Sequence, residues 1–592
     1  MLFHFLPLTR LVFLLTGFGI LIYACQSPTE RKDMAASANG VAKSDTFLPG
    51  KSYSINELLV DILQPLENDS ISRIETSVEP FLFSGPALLE VYRTNGFKAI
   101  WVNENGLNDK GNVLLSTLAS SGQYGLDNRY YGAGNIAAAV ENLSKNPESK
   151  RLAAEIELSL TNGWLLLALH LYKGVVGNGQ LLNHQFGNLS GFFAQKLLQA
   201  AASGKTDEAL ESLQPENIHY RQLQKALAGF YLKKDVLPKG FSIRDHKKDS
   251  AGCAQDVMAA LYYQGYTDSL VIPTNIYREK LIKFQQDHHL VADGVPGPNT
   301  RQLLLLDNRE KFRRLALNLE RWRSSGWVMP SEYILVNIPG FYCYVIKDGA
   351  FIRAHKIIVG KPGTPTPELQ SAVDQVVINP EWTVPQSIIR KEMRGKSHAY
   401  LSKYNIFQGG QKITPDQINW GAGGIKMVQP PGADNALGYI KFLFPNSYSV
   451  YLHDTPSRNL FDTQVRAYSH GCMRMQNPLE MGEFLLKRDG KDISVDSIKS
   501  IIATGVTKNF YLKNKMPLFV VYHTVMVDEN GILQFYPDIY KKEDLNAAIL
   551  FYGRYDESVD PSKGKVAIPS IGARPEVVMP EDSLELAGTI IP

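Results

Sequence analysis

Cysteine is scarce in this chain, with four residues in 592. So few exclude a disulfide-built scaffold. No CxxC pair and no HExxH run occurs, so the common zinc signatures are missing. No GxxxxGK[ST] loop is present to cradle a nucleotide phosphate. No run of five Lys or Arg occurs and the net charge is +3, so charge gives no footing for a nucleic-acid partner. Past the N-terminus, the most apolar helical pattern, Arg151 to Lys173, has an apolar core far short of a membrane span and reads as a buried helix. What remains is the composition of a folded protein too long for one core. At roughly 100–200 residues per domain, three or four units are expected.

The first 25 residues differ from the rest. Arg10 precedes an apolar run from Leu11 to Ala24, which ends at Cys25. A basic flank and a short apolar run form the pattern of a signal peptide; a short membrane anchor is the alternative. Ile22-Tyr23-Ala24-Cys25 resembles a bacterial lipobox, with Tyr23 where a small residue is usual. That resemblance implies lipidation of Cys25 and an exported, periplasmic protein tethered to an envelope membrane. Residues 26–52 read as a flexible tether. With Cys25 lipidated, Cys253, Cys343 and Cys472 remain. An odd number in an oxidising compartment leaves at least one free thiol.

Residues 53–245 read as a helical scaffold without a catalytic constellation. Residues 246–307 read as three short helices, Ala254–Gln264, Ile276–His288 and Asn299–Leu306. Asp293-Gly294 and Pro296-Gly297-Pro298 supply turns between them, and Asn299 an N-cap. The segment LIKFQQDHHLVADGVPGPNTRQLL resembles a peptidoglycan-binding module, with His289-Leu290 where that family often has Gly-Leu. A generic three-helix unit is the alternative. Residues 308–330 read as a linker helix whose basic residues form a solvated face. From residue 331 to 555 the pattern turns to strands, among them Tyr333–Ile338, Phe341–Ile346, Ala354–Val359 and Val373–Ile378. Residues 386–423 read as a helical insertion with hinge-like glycines, a candidate lid. Residues 556–592 form a tail.

The stretch AYSHGCMRM, Ala467 to Met475, holds Cys472. Upstream, SVYLHDT places Tyr451 and His453 on one face of a strand. His453 precedes Cys472 by 19 residues, and the intervening Pro456 and SRN turn suffice to reverse the chain. A thiol is a few per cent thiolate at neutral pH; a nearby imidazole takes its proton and returns one to a leaving amine. Gly471 frees backbone N–H groups for a developing oxyanion. These are the parts for acyl transfer through a thioester. Other readings stay open: Cys472 as buried filler, as the partner of Cys343, or as a zinc ligand with His453 and His470.

SHGCMRM resembles the [S/T]HGCxR signature of the YkuD-like L,D-transpeptidases. VGKPGTPTPEL, INPEWTVPQSI, QPPGADNALGYIKFLFPN, YLHDTP and FYPDIY resemble the large, multi-domain branch of that family, as does GLNDKGNVLLSTLASSGQYGLDNRYY in the N-terminal region. The resemblance implies a multi-domain protein with a mostly-β catalytic domain, a helical capping insertion, an α-helical scaffold and a small three-helix peptidoglycan-binding-like domain. It implies Cys472 as nucleophile and His453 as proton donor and acceptor. Ser469, His470 and Gly471 are implied as the surrounding motif, with backbone N–H groups near Gly471 and Cys472 as the oxyanion hole. Arg474 either braces the motif loop, the favoured reading, or receives a stem-peptide carboxylate; Tyr451 is a wall residue. The implied activity is 3→3 cross-linking of peptidoglycan stem peptides in cell-wall biogenesis, without metal or other cofactor. Stem peptides and glycan strands are the implied partners, and carbapenems the implied inhibitors. An L,D-carboxypeptidase or a non-catalytic wall-binding lipoprotein are the alternatives.

Overall fold

The computed structural model describes residues 53–67, 74–79, 82, 84–177, 180–181, 186–288 and 290–552. The leader with Cys25, the tether, His289 and the tail over 556–592 lie outside them. The chain divides into two compact units.

The first unit takes the described residues up to Ser120, Asn128–Leu169 and those from Phe186 to Ser212. It is helical, with helices Ile55–Leu63, Gly85–Thr94, Asp109–Ala119, Ala133–Lys145 and Ser190–Ser203. Ser54 and Glu57 close a reciprocal capping box at the start of the first. The long helix Lys150–Lys173 is 94% buried over its most apolar stretch, which makes it a core helix. On it, Glu157 is fully buried and accepts N–H bonds from Ile100, Trp101 and Val102 at 2.7, 2.8 and 3.1 Å, and the Tyr92 hydroxyl at 2.8 Å. Burial raises its carboxyl to about 7, against the pull of those bonds. A glutamate in the run Ala153-Ala154-Glu155-Ile156-Glu157-Leu158 gives no sequence signal that it staples a neighbouring segment.

The second unit begins with helix Ile218–Ala228 and the helices Ser250–Tyr263, Thr274–Asp287 and Pro298–Leu304. Helix Asn308–Ser325 follows, and it overturns the expectation of a solvated basic face. Arg314 and Arg323 are 5% and 1% exposed. Arg314 donates to the Tyr536 carbonyl at 3.2 Å; Arg323 donates to the Tyr124 carbonyl and the Tyr220 hydroxyl. A guanidinium carries five donors, so it is buried where carbonyls are left to satisfy.

The strands that follow are β1 Glu332–Asn337, β2 Tyr342–Lys347, β3 Ala350–Gly360, β4 Leu369–Ile378, β5 Trp382–Thr383, β6 Asn405–Gln408, β7 Gln411–Ile413, β8 Ile425–Gln429, β9 Ile440–Leu443, β10 Leu452–His453, β11 Ala467–Ser469, β12 Met473–Met475 and β13 Lys508–Val521. One sheet has the order β11-β3-β12-β10-β9-β4-β13-β1-β2, and a β2–β3 pairing closes all of it except β11 into a barrel. Val336, Cys343, Ile357, Val376, Ile440, Phe442, Leu452, Met473 and Met475 fill one apolar core. Cys343 is fully buried there, as its apolar strand implies, and Cys253, Cys343 and Cys472 are all free thiols.

The insertion is not the helical cap expected. Its main element is a small sheet of order β7-β6-β8-β5; the expected helical segments are present but short, an α-turn at Gln386–Ile388 that runs into a π-helix at Ile389–Met393, a helix at His398–Leu401 and a 3-10 turn at Pro415–Gln417. Val384, Ile389, Leu401, Ile406 and Met427 give it a core of its own. Gly409 and Gly410 are both left-handed, at φ +59° and +85°. Two adjacent positive φ values make the tight turn that joins β6 to β7, so these glycines are a hairpin tip and not a hinge.

Trp322 is stacked between His219 and His523, with ring centroids 5.6 and 4.4 Å away. His219 also meets the Tyr333 hydroxyl at 2.7 Å. Burial holds His219 neutral down to about pH 4 and lowers His523 as well, helped by Arg321. In the unfolded chain both return to about 6.5. The unfolded chain therefore binds more protons between those values, and stability present above pH 6.5 is lost as the pH falls towards 4. Two-state melts of the second unit between pH 7 and 4 should show a loss on the order of 3 kcal/mol for His219 alone. His219→Gln should flatten that slope; an unchanged slope would remove these rings from the account.

Candidate active site

The position of the candidate residues follows from strand register. β10 and β12 run parallel, with Leu452 beside Met473 and His453 beside Arg474. β9 and β10 run antiparallel, with Lys441 beside His453. Ile440, Phe442, Leu452, Met473 and Met475 point into the barrel core. Alternation then sends Lys441, Tyr451, His453, Cys472 and Arg474 to the opposite face. The sulfur and the imidazole thus share a face on neighbouring strands, one diagonal step apart. Among the described residues no hydrogen bond yet joins them, and no group of three His, Cys, Asp or Glu has the arrangement of a metal site.

Each side chain has a definite setting. Cys472 is half-buried at the entrance to β12. Burial raises its thiol above the ordinary value, while the Tyr451 backbone and hydroxyl and the cations Arg474 and Lys441 favour the thiolate. His453 is 5% exposed, and Nδ1 sits 2.5 Å from the Asp454 carbonyl. Nδ1 therefore carries the proton and Nε2 is the basic nitrogen. Burial first, then Arg474 and Lys441, push this imidazole down to about 3, against the Asp454 and Leu437 carbonyls. The resting pair is thiol and neutral imidazole, not thiolate and imidazolium. The tyrosine ring lies 5.6 Å from the histidine ring, and Trp382 of β5 is close enough to favour ionisation of the same Tyr451 hydroxyl.

The motif loop spends its polar groups on itself and its neighbours. Ser469 Oγ donates to the Cys472 carbonyl at 2.5 Å and accepts the Gly471 N–H at 3.1 Å. Gly471 is left-handed at φ +115°, a conformation side chains rarely adopt. His470 turns away from the sulfur: its Nε2 lies 2.6 Å from Glu392 of the cap and 3.5 Å from Lys361 Nζ. Arg474, expected to brace the loop, has no ion-pair or hydrogen-bond partner among the described residues, and the same holds for Lys441, on which Glu381 acts only at longer range.

Sequence reasoning placed Cys472, His453, Tyr451 and Arg474 together. It missed Lys441, Trp382 and Glu392. The alternation Ile440-Lys441-Phe442 marks Lys441 as facing away from the core, but only the register sets it beside His453. Trp382 and Glu392 come from an insertion whose placement over the site no local pattern reveals.

The comparisons agree with this architecture. The family profile for the L,D-transpeptidase catalytic domain matches residues 331–495, and that for the Scaffold domain matches residues 86–227. A curated Haemophilus influenzae protein named "Putative L,D-transpeptidase" is 33% identical over 239 residues, which are 38% of this chain and 47% of that protein. The chain thus matches about half the length of that relative. Among solved structures, an L,D-transpeptidase from Mycobacterium smegmatis is 16% identical over 32% of this chain and 58% of its own, at a TM-score of 0.16. The carbamoyl enzyme that Ldtfm forms with avibactam is 15% identical over 33% of this chain and 49% of its own, also at 0.16. Such TM-scores carry no weight of their own. The family match covers the barrel from β1 to β12, and residues 331–495 of this multi-domain chain match the YkuD-type L,D-transpeptidase catalytic domain.

Proposed function

We propose that this protein is a peptidoglycan L,D-transpeptidase that forms 3→3 cross-links through a thioester on Cys472. The observation that carries the reading is the parallel register of β10 and β12, which sets Tyr451 and His453 beside Cys472 and Arg474 on one face. His453 Nε2 takes the thiol proton as sulfur attacks the carbonyl of the third stem residue. The carbon–nitrogen bond breaks, and the departing D-alanine amine takes that proton from the imidazole. The side-chain amine of a second stem then attacks the thioester, loses its proton to His453, and the sulfur leaves to be reprotonated. The cap, anchored through Trp382 and Glu392, keeps water from the thioester.

Arg474 and Lys441 are two half-buried cations without a carboxylate partner among the described residues, close enough to the sulfur to act on its ionisation. They supply a seat for the free carboxylate at the end of the donor stem. A charge-assisted bond of this kind is worth roughly 1.5–3 kcal/mol, or about 10–100-fold. A tetrapeptide donor ending in a carboxylate should therefore outcompete its C-terminal amide by about that factor in kcat/KM. Arg474→Gln should bring the ratio close to one; a variant that keeps the full ratio excludes the seat.

Purified protein incubated with defined tetrapeptide muropeptides should yield cross-linked dimers and free D-alanine by mass spectrometry. Tripeptide monomers without dimers would mean that water is the acceptor and the activity an L,D-carboxypeptidase. We extend the proposal to acylation of Cys472 by carbapenems, and to export and tethering through a lipid on Cys25.

A further inference from the structure

Four backbone polar groups surround the Gly471–Cys472 peptide, and three of them are occupied. Ser469 Oγ accepts the Gly471 N–H and donates to the Cys472 carbonyl. The Gly471 carbonyl accepts a hydrogen bond of 2.8 Å from the Thr366 hydroxyl. Only the Cys472 N–H is left without a bond among the described residues. In a trans peptide the carbonyl and the following N–H point in opposite directions. Whatever fixes the Gly471 carbonyl therefore aims the Cys472 N–H.

Thr366 is itself held from two sides. It is 1% exposed, and its Oγ accepts the Gly360 N–H at 2.9 Å. Its own N–H donates to the Tyr540 hydroxyl at 3.1 Å, and that hydroxyl donates to the Gly360 carbonyl at 2.7 Å. The loop between β3 and β4 is thereby closed on Gly360 by one hydroxyl from inside and one from outside. It is packed so closely that a Cβ on Gly360 would lie 2.2 Å from the Thr364 carbonyl. Tyr540 is fixed in turn, with its N–H donating to the Tyr522 hydroxyl at 2.7 Å and its ring stacked on Tyr522 at 5.3 Å. Tyr540 lies beyond the matched catalytic domain, which ends at residue 495.

We infer that Thr366 and Tyr540 are positioning residues for acyl transfer: through the Gly471 carbonyl they hold the Cys472 N–H as the oxyanion donor. This inference rests on the acyl-transfer reading of Cys472. Neither residue touches the sulfur, so they act on the developing oxyanion and not on the nucleophile.

The test compares two reactions of the same sulfur in the full chain. Acylation by a carbapenem passes through an oxyanion; alkylation by iodoacetamide, a displacement at an sp³ carbon, does not. Thr366→Val should slow acylation by about 10-fold or more, within the range of oxyanion-hole losses, and leave the alkylation rate within about two-fold. Thr366→Ser keeps the hydroxyl and should restore acylation. Tyr540→Phe should repeat the Thr366→Val pattern more weakly, with far-ultraviolet circular dichroism to verify folding. Equal losses in both reactions, or no loss in acylation, would overturn the positioning role. Alkylation of the wild-type sulfur without any acylation would sink the acyl-transfer reading itself.

Discussion

Cys472→Ala and Cys472→Ser should each abolish dimer formation from tetrapeptide muropeptides, a loss of roughly 10³-fold or more in kcat. Alanine removes the proposed nucleophile. Serine keeps a similar shape and a proton, but its hydroxyl ionises far less readily than a thiol, and the imidazole beside it is itself a weak base, with its conjugate acid near pH 3. Neither change should unfold the protein. The bonds that shape the loop use the Cys472 carbonyl and the Gly471 peptide, not the sulfur. Melting temperatures within a few degrees of the parent, together with lost activity, are therefore expected. Dimer formation at the parental rate by the alanine variant would remove the thioester from the mechanism. Intact-mass spectrometry adds a second reading: a carbapenem adduct expected on the parent should be absent from both variants.

The parts of the site that could be read from the sequence are those encoded within a few residues. Tyr451-Leu452-His453 alternates as a strand must, so two side chains on one face follow from three letters. Gly471 beside Cys472 announces a turn that needs a left-handed residue, and φ +115° is what the structure holds. Lys441, Trp382 and Thr366 escaped because their meaning lies in partners on other strands and loops, from a dozen to 105 residues away. Lys441 meets His453 across strands, Trp382 reaches Tyr451 from the cap, and Thr366 meets Gly471 across 105 residues. The cap escaped for another reason. Its strands are as short as two residues, below the length at which a period of two is distinguishable from a helical turn, and Gly409-Gly410 fits a hinge as well as a hairpin until both φ values are known. Arg314 and Arg323 were misjudged because charge was taken for exposure, whereas their helix runs among carbonyls that need donors.

His453→Ala should lower dimer formation by about 10²–10⁴-fold, the usual contribution of a positioned acid–base group. The pH dependence distinguishes this histidine from one of ordinary basicity. Burial, with Arg474 and Lys441 nearby, lowers the imidazole to about 3, so it is neutral and able to accept a proton across the whole neutral range. An imidazole at the ordinary 6.5 would give kcat/KM an acid limb between pH 5 and 7. Here that limb should be missing from this range and lie near pH 3. The thiol is shifted the other way by its own burial, so kcat/KM should instead climb through neutral into alkaline pH as the thiolate fraction grows. The same two cations set the sign of both shifts: they resist a proton on His453 and favour charge on Cys472. Arg474→Gln removes one of them. It should move the acid limb of kcat/KM upward from about pH 3, because the imidazole then binds its proton more readily. It should also slow alkylation of the sulfur at fixed pH, because the thiolate has lost a counter-charge. Opposite movements in two probes of one face follow if Lys441, His453 and Arg474 sit side by side as the register places them. A limb that stays at 6.5 in both proteins would mean that His453 is exposed to water and is not the buried base described above.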